Sequence, residues 1–231
     1  MTPAFPFRIP AALSILGAVL LPPAAWAGGT ATVQAGQETS TLAWQTGGPV
    51  RMDQKDGGNY LLVREGKAYS VTYRGQTPVV MEVGGLLQGL GALAQSRPNQ
   101  YLPDRVDQVQ DLHKTETVAG IQGHVYRLTV TDTQGKSHVS DAVLTDQARV
   151  VDMTEACLQT LQRVLGGDTA QKLTASLPAG RRGILRLGRD FVVKSISAQE
   201  PPASQFALPA QPTSLQNLLQ GLQGLPGLPK P

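Results

Sequence analysis

What most constrains this chain is a run of short apolar/polar alternating segments cut by glycine-bearing turns. Between Thr30 and Val83 the segments fall at residues 41–44, 50–53, 60–63, 68–73 and 78–81. Between them lie Gly47 and Gly48, Gly57 and Gly58, Gly66, and Gly75. Side chains alternate across a strand with a period of two, and tight hairpins require backbone angles that glycine adopts readily. The spacing therefore predicts an antiparallel meander of about five strands. The same signature returns at residues 108–118, 124–131 and 137–144, and again at 183–187 and 191–196.

Three segments break the alternation. Leu86, Leu87, Leu90 and Leu93 recur at helical spacing before Pro98. Gly89 and Gly91 weaken that helix by about 1 kcal/mol each relative to alanine. The leucine stripe reads most simply as core, and its glycines also suit a lid that opens over an apolar groove. A second helix opens around residues 152–155, capped by Asp152 or Thr154, with Cys157, Leu158, Leu161, Val164 and Leu165 on one face and Gly166 at its end. A third, capped by Asp168, carries Ala170, Leu173 and Leu177 and stops at Pro178. Strands that pair with their sequence neighbours, covered by a few helices, predict an α+β domain built on a curved antiparallel sheet.

The ends of the chain read differently. Residues 1–27 carry Arg8, an apolar run over 11–21, Pro22 and Pro23, and the small residues Ala25 and Ala27. That is the layout of a cleavable export signal, so the expected address is the periplasm. The run of about eleven residues is shorter than the roughly twenty a membrane-crossing helix needs, so no transmembrane anchor is expected. Residues 28–210 form the expected single β-rich domain, and 211–231 a Pro/Gly/Leu/Gln-rich tail whose residues 218–222 repeat the sequence of 86–90.

With Cys157 as the single cysteine, no intramolecular disulfide can form, and the thiol reads as a small buried hydrophobe. Lys and Arg number 20 against 17 Asp and Glu, and the two signs are interspersed. A nucleic-acid surface would concentrate cations on one face, so none is expected. The densest basic site is Arg181, Arg182, Arg186 and Arg189. It reads either as a solvated edge that discourages strand-to-strand aggregation or as a contact for anionic lipid head groups or an acidic partner.

Chemistry-bearing motifs are missing. His113, His124 and His138, with Asp111 or Asp141, lack the close spacing that would commit them to a metal, so no metal site is expected. There is no G-x-S-x-G elbow and no G-x-G-x-x-G or G-K-[ST] loop, so neither an enzyme nor a nucleotide cofactor is expected.

Several segments together resemble a known architecture. These are the export signal, residues 50–53 (VRMD), 116–126 (ETVAGIQGHVY), 191–197 (FVVKSIS) and 202–210 (PASQFALPA). They resemble a family of uncharacterised secreted bacterial domains similar to the periplasmic lipoprotein carriers LolA and LolB. The resemblance implies a half-open antiparallel barrel, capped by helices, whose apolar interior holds acyl chains. It leads to the expectation of a non-enzymatic, chaperone-like binding or carrier protein for a lipid, acyl chain or hydrophobic peptide. Leu86, Leu87, Leu90 and Leu93 would line the groove or lid, and Arg181, Arg182 and Arg186 would meet a head group or partner. The alternative is an envelope structural module with a filled core and a tail that docks on an envelope protein.

Overall fold

The computed structural model describes residues 28–54, 58–83, 105–132, 134–166 and 168–213. The first half is a meander of six strands: β1 (Gly28–Ala35), β2 (Glu38–Gln45), β3 (Val50–Gln54), β4 (Tyr60–Arg64), β5 (Lys67–Arg74) and β6 (Thr77–Glu82). The second half holds β7 (Arg105–Val118), β8 (Ile121–Thr131) and β9 (Ser137–Thr145), then helices α1 (Ala148–Leu165) and α2 (Thr169–Ser176). β10 (Gly183–Leu187), β11 (Phe191–Ser197) and a 3₁₀ turn (Ala203–Phe206) follow.

Two hairpins show why these strands turn where they do. Glu65 and Gly66 join Arg64 to its partner Lys67 with φ of 51° and 75°, and Ala119 and Gly120 join Val118 to Ile121 with φ of 51° and 75°. Positive φ at both central residues is the turn whose twist matches that of the flanking strands.

The strands form one antiparallel sheet in the order β6-β5-β4-β3-β2-β1-β11-β10-β9-β8-β7. The sheet does not close: β6 and β7 are its two edges, and β1 meets β11 in its middle. The chain thus runs from the middle to one edge, resumes at the opposite edge, and returns to the middle. This is the expected α+β class, an open eleven-stranded sheet with two helices among the described residues.

Strand alternation divides the core. Leu42 and Trp44 of β2, Val50 of β3, Val63 of β4 and Ala68 of β5 pack in one cluster with Val150, Met153 and Ala156 of α1. Their sequence neighbours Ala43, Leu62 and Tyr69 point the other way and pack with Val71, Val80 and Phe206. On the β7–β10 side, Tyr126, Leu128, Ala142, Leu144 and Ile184 pack against Leu158 of α1 and Ala170, Leu173 and Leu177 of α2. α1 is therefore shared between two clusters, which is why an apolar face wider than a single stripe is needed along it.

Three expectations change. β1 is a full strand that makes six strands of the first half, one more than the alternation predicts; its sequence, GGTATVQA, has a single large apolar residue. α1 begins at Ala148, ahead of the expected start, with Gln147 at its N-cap and no side-chain cap. Thr154 lies inside the helix, and its hydroxyl accepts the backbone N–H of Ile184 at 2.9 Å. Asp152 is likewise internal and accepts from the hydroxyl of Thr46 at 3.1 Å. Leu86, Leu87, Leu90 and Leu93, like residues 214–231, lie outside the described residues.

Candidate functional site

Strand register places a row of side chains across β1 to β6. Ala31 pairs with Leu42, Leu42 with Met52, Met52 with Leu61, Leu61 with Ser70 and Ser70 with Met81. Directly paired residues point to the same side of a sheet. Ala31 and Leu42 are buried, whereas Met52, Leu61, Ser70 and Met81 are half-buried. The adjacent row, Trp44, Val50, Val63 and Ala68, is fully buried in the cluster with α1. The sheet face therefore shelves from a row packed with the helix to a partly open apolar strip of Met52, Leu61 and Met81. Methionine's unbranched, polarisable chain suits such a strip to apolar groups of varied shape. Sequence reading passed over these three residues, because each sits in an ordinary alternating strand and only the register aligns them.

The basic residues are spread out. Arg181 binds Asp146 at 2.7 Å and His124 Nε2 at 3.1 Å. Arg182 lies outside β10, exposed, on a groove of about 370 Å³ between α1 and α2 that Glu155, Leu158 and Ala170 also line. Arg186 grips Glu116 with two bonds, Nε to Oε1 at 2.9 Å and Nη2 to Oε2 at 2.7 Å, so that β10 is tied to β7 across β9 and β8. Its Nη1 also donates to the carbonyls of Asp141 at 3.3 Å and Gly188 at 3.1 Å. A register shift between Ile184 and Arg186 breaks the even spacing that would have set Arg182 and Arg186 on one face.

Next to this grip, Asp141 accepts from Arg127 Nε at 2.9 Å. The hydrogen bond from Arg186 holds the Glu116 carboxyl below its ordinary 4.5, and that from Arg127 holds Asp141 below 3.8. A carboxylate depressed on folding contributes stability that is present above its unfolded pKa and lost as pH falls through its folded pKa. Thermal stability is therefore expected to decline as pH drops below about 4.5. Glu116→Gln should shallow that acid limb while leaving the neutral-pH melting temperature lower than in the parent. Melting curves from pH 7 to 2.5 test this, and an acid limb of unchanged steepness in Glu116→Gln would contradict it.

The histidines occupy three neighbouring strands, β7, β8 and β9, at the β7 end of the sheet. Each has its own partner. His113 donates its backbone N–H to Asp111 at 2.7 Å, His124 meets Arg181, and His138 Nε2 lies 2.7 Å from Asp132. Among the described residues no group of three or more His, Cys, Asp or Glu comes together as a metal site. Burial pushes the Cys157 thiol up to about 12, far from the range in which a thiolate nucleophile forms at neutral pH. No helix among the described residues is long and apolar enough to cross a membrane.

The segment after β11 returns across the sheet. Arg51, stacked 3.6 Å over the Tyr60 ring and bonded to Asp53, donates to the carbonyl of Gln205 at 3.1 Å, and Arg64 donates to that of Phe206 at 3.1 Å. Phe206 is buried against the face of β2 and β4–β6, with Leu208 and Ala210 packed beside it.

Fold and site define an α+β protein on an open antiparallel sheet, with an apolar strip beside its covering helix. Comparisons with protein-family models, with curated proteins and with solved structures find no match to this chain.

Proposed function

We propose that the chain is a non-enzymatic periplasmic binding or carrier protein for an apolar ligand, an acyl chain or hydrophobic segment, in the manner of LolA-like half-open barrels. The observation that carries this reading is the half-buried strip of Met52, Leu61 and Met81 beside the row packed with α1. Covering such a strip removes apolar surface from water, worth about 0.8 kcal/mol for each methylene buried. The half-exposed strip tolerates a polar substitution better than the closed row beside it, so binding can be tested without unfolding the domain.

Binding of a fluorescent fatty acid to the purified protein is the direct test. Leu61→Asp is expected to weaken it at least about tenfold, equal to 1.4 kcal/mol, with the far-UV circular dichroism unchanged. Undiminished binding in Leu61→Asp overturns the strip as the site. A protein that binds no acyl probe and shows a bare mass in native mass spectrometry favours the second reading, an envelope interaction module. The packing of Val150, Met153 and Ala156 over the inner row, and the seating of Phe206 on the other face, support that alternative.

A further inference from the structure

The outer edge of β6 carries an unusual occupant. Thr213, at the far end of the segment anchored by Phe206, forms a parallel bridge to Met81. Its N–H donates to the Val80 carbonyl at 2.9 Å, and its carbonyl accepts from the Glu82 N–H at 3.3 Å. Val80 and Glu82 therefore turn their backbone groups away from β5, as does Pro78, two residues earlier in the same alternation. An edge strand with outward N–H and C=O groups is a template for pairing with another chain.

We propose that the outer edge of β6 is a self-pairing surface for a second copy of this chain, latched in the single molecule by Thr213. The geometry of β6 fits a two-fold antiparallel pair centred on Val80. In that register Val80 faces its symmetry mate and the two exchange N–H to carbonyl bonds, and Glu82 of each copy donates to the Pro78 carbonyl of the other. Pro78 has no N–H to offer but has the one acceptor this register asks of it. Glu82 lies opposite a proline, so no like charges meet, and Glu82 keeps its ion pair with Lys67 at 3.1 Å.

Such a contact uses the same patch on both subunits, which closes at two copies. Thr213 blocks it by occupying the Val80 carbonyl and the Glu82 N–H, two of the four groups each copy brings to the symmetric pair. The latch prevails because it is tethered. Arg51, Arg64 and Phe206 pin the chain a few residues before Thr213, which gives the intramolecular contact an effective concentration of about a millimolar or more. Whatever lifts the C-terminal segment off the edge exposes a dimerisation surface.

The test uses the full chain with Thr213→Pro, which removes the donor to Val80. Sedimentation equilibrium should show the parent as a monomer at about 0.1 mM, below that effective concentration, and the variant as a dimer. The Glu82 amide should exchange with solvent about tenfold faster in dilute monomeric variant than in the parent. Adding Glu82→Pro, which deletes an outward N–H and no β5 bond, should return the variant to a monomer. Should Thr213→Pro lose the native circular dichroism, Pro212→Gly, which loosens the approach and keeps every donor, should dimerise at higher concentration instead. A monomeric Thr213→Pro with fast Glu82 exchange, or an unchanged Glu82 exchange rate, or dimers that survive Glu82→Pro, each overturns the proposal.

Discussion

Replacing Trp44 with alanine is expected to lower the unfolding free energy by about 3–5 kcal/mol, whereas Trp44→Phe, which empties a smaller part of the site, should cost clearly less. Trp44 is 1% exposed and packs in the cluster that joins the first half of the sheet to α1. The backbone closes around it: a Cβ on Gly29 would lie 2.8 Å from the indole Cζ2 and 2.6 Å from the carbonyl of Ser197, so the site has little freedom to collapse into the space left behind. The large loss therefore combines transfer of the ring with an unrelaxed cavity. Phenylalanine retains most of the ring and removes a liability, since the buried indole N–H has no hydrogen-bond partner among the described residues. An unsatisfied buried donor costs about 1–3 kcal/mol, which offsets part of the lost area. Urea unfolding followed by circular dichroism measures both variants. A Trp44→Phe loss as large as that of Trp44→Ala would show that shape alone governs the site.

Gly123→Ala is the second large effect, with an expected cost of about 1–3 kcal/mol from a single added methyl group. The backbone of Gly123 has no special conformation; the constraint is closeness. Its Cβ would lie 2.6 Å from Val143 Cγ1, 2.9 Å from the Leu144 carbonyl and 3.1 Å from Leu185 Cδ1. Val143 and Leu185 are fully buried, and the carbonyl belongs to the neighbouring strand, so little can yield. Val143→Ala destabilises when made alone by opening a cavity, but in Gly123→Ala it vacates the nearest contact. The double variant should therefore be more stable than the sum of the two losses predicts, as expected of residues in contact. Strict additivity in urea unfolding would refute this account.

The sequence makes local structure legible. The turns after Gly47, Gly66 and Gly75 and most strands of both halves follow from period-two alternation and from residues that accept positive φ. It also places the helical faces carrying Leu158, Leu173 and Leu177. What it does not carry is pairing between distant strands. β1, poor in large side chains, becomes recognisable only against β11, its partner from the far end of the domain. The Met52, Leu61 and Met81 strip needs the register of four strands before three ordinary residues become a row. The Arg186 grip on Glu116 joins positions 70 residues apart, and nothing in either strand's pattern singles out its partner. The start of α1 was missed for a physical reason as well: Gln147 makes no side-chain cap, so the usual polar marker is absent from the true N-terminus and stands inside the helix at Asp152 and Thr154.

The meeting of β1 with β11 in the middle of the sheet sets an order of assembly. Within each half the strands pair with their sequence neighbours, and apart from β9 and β10, which enclose both helices, such contacts close short loops at low entropic cost. The seam between the halves is different, because Thr30 cannot find Ser197 until almost the whole domain exists. During synthesis the first strand made waits longest for its second neighbour, with one side of its backbone unsatisfied until the last strand arrives. Formation of that seam, the most non-local contact in the sheet, should therefore be the slow, rate-setting event of folding.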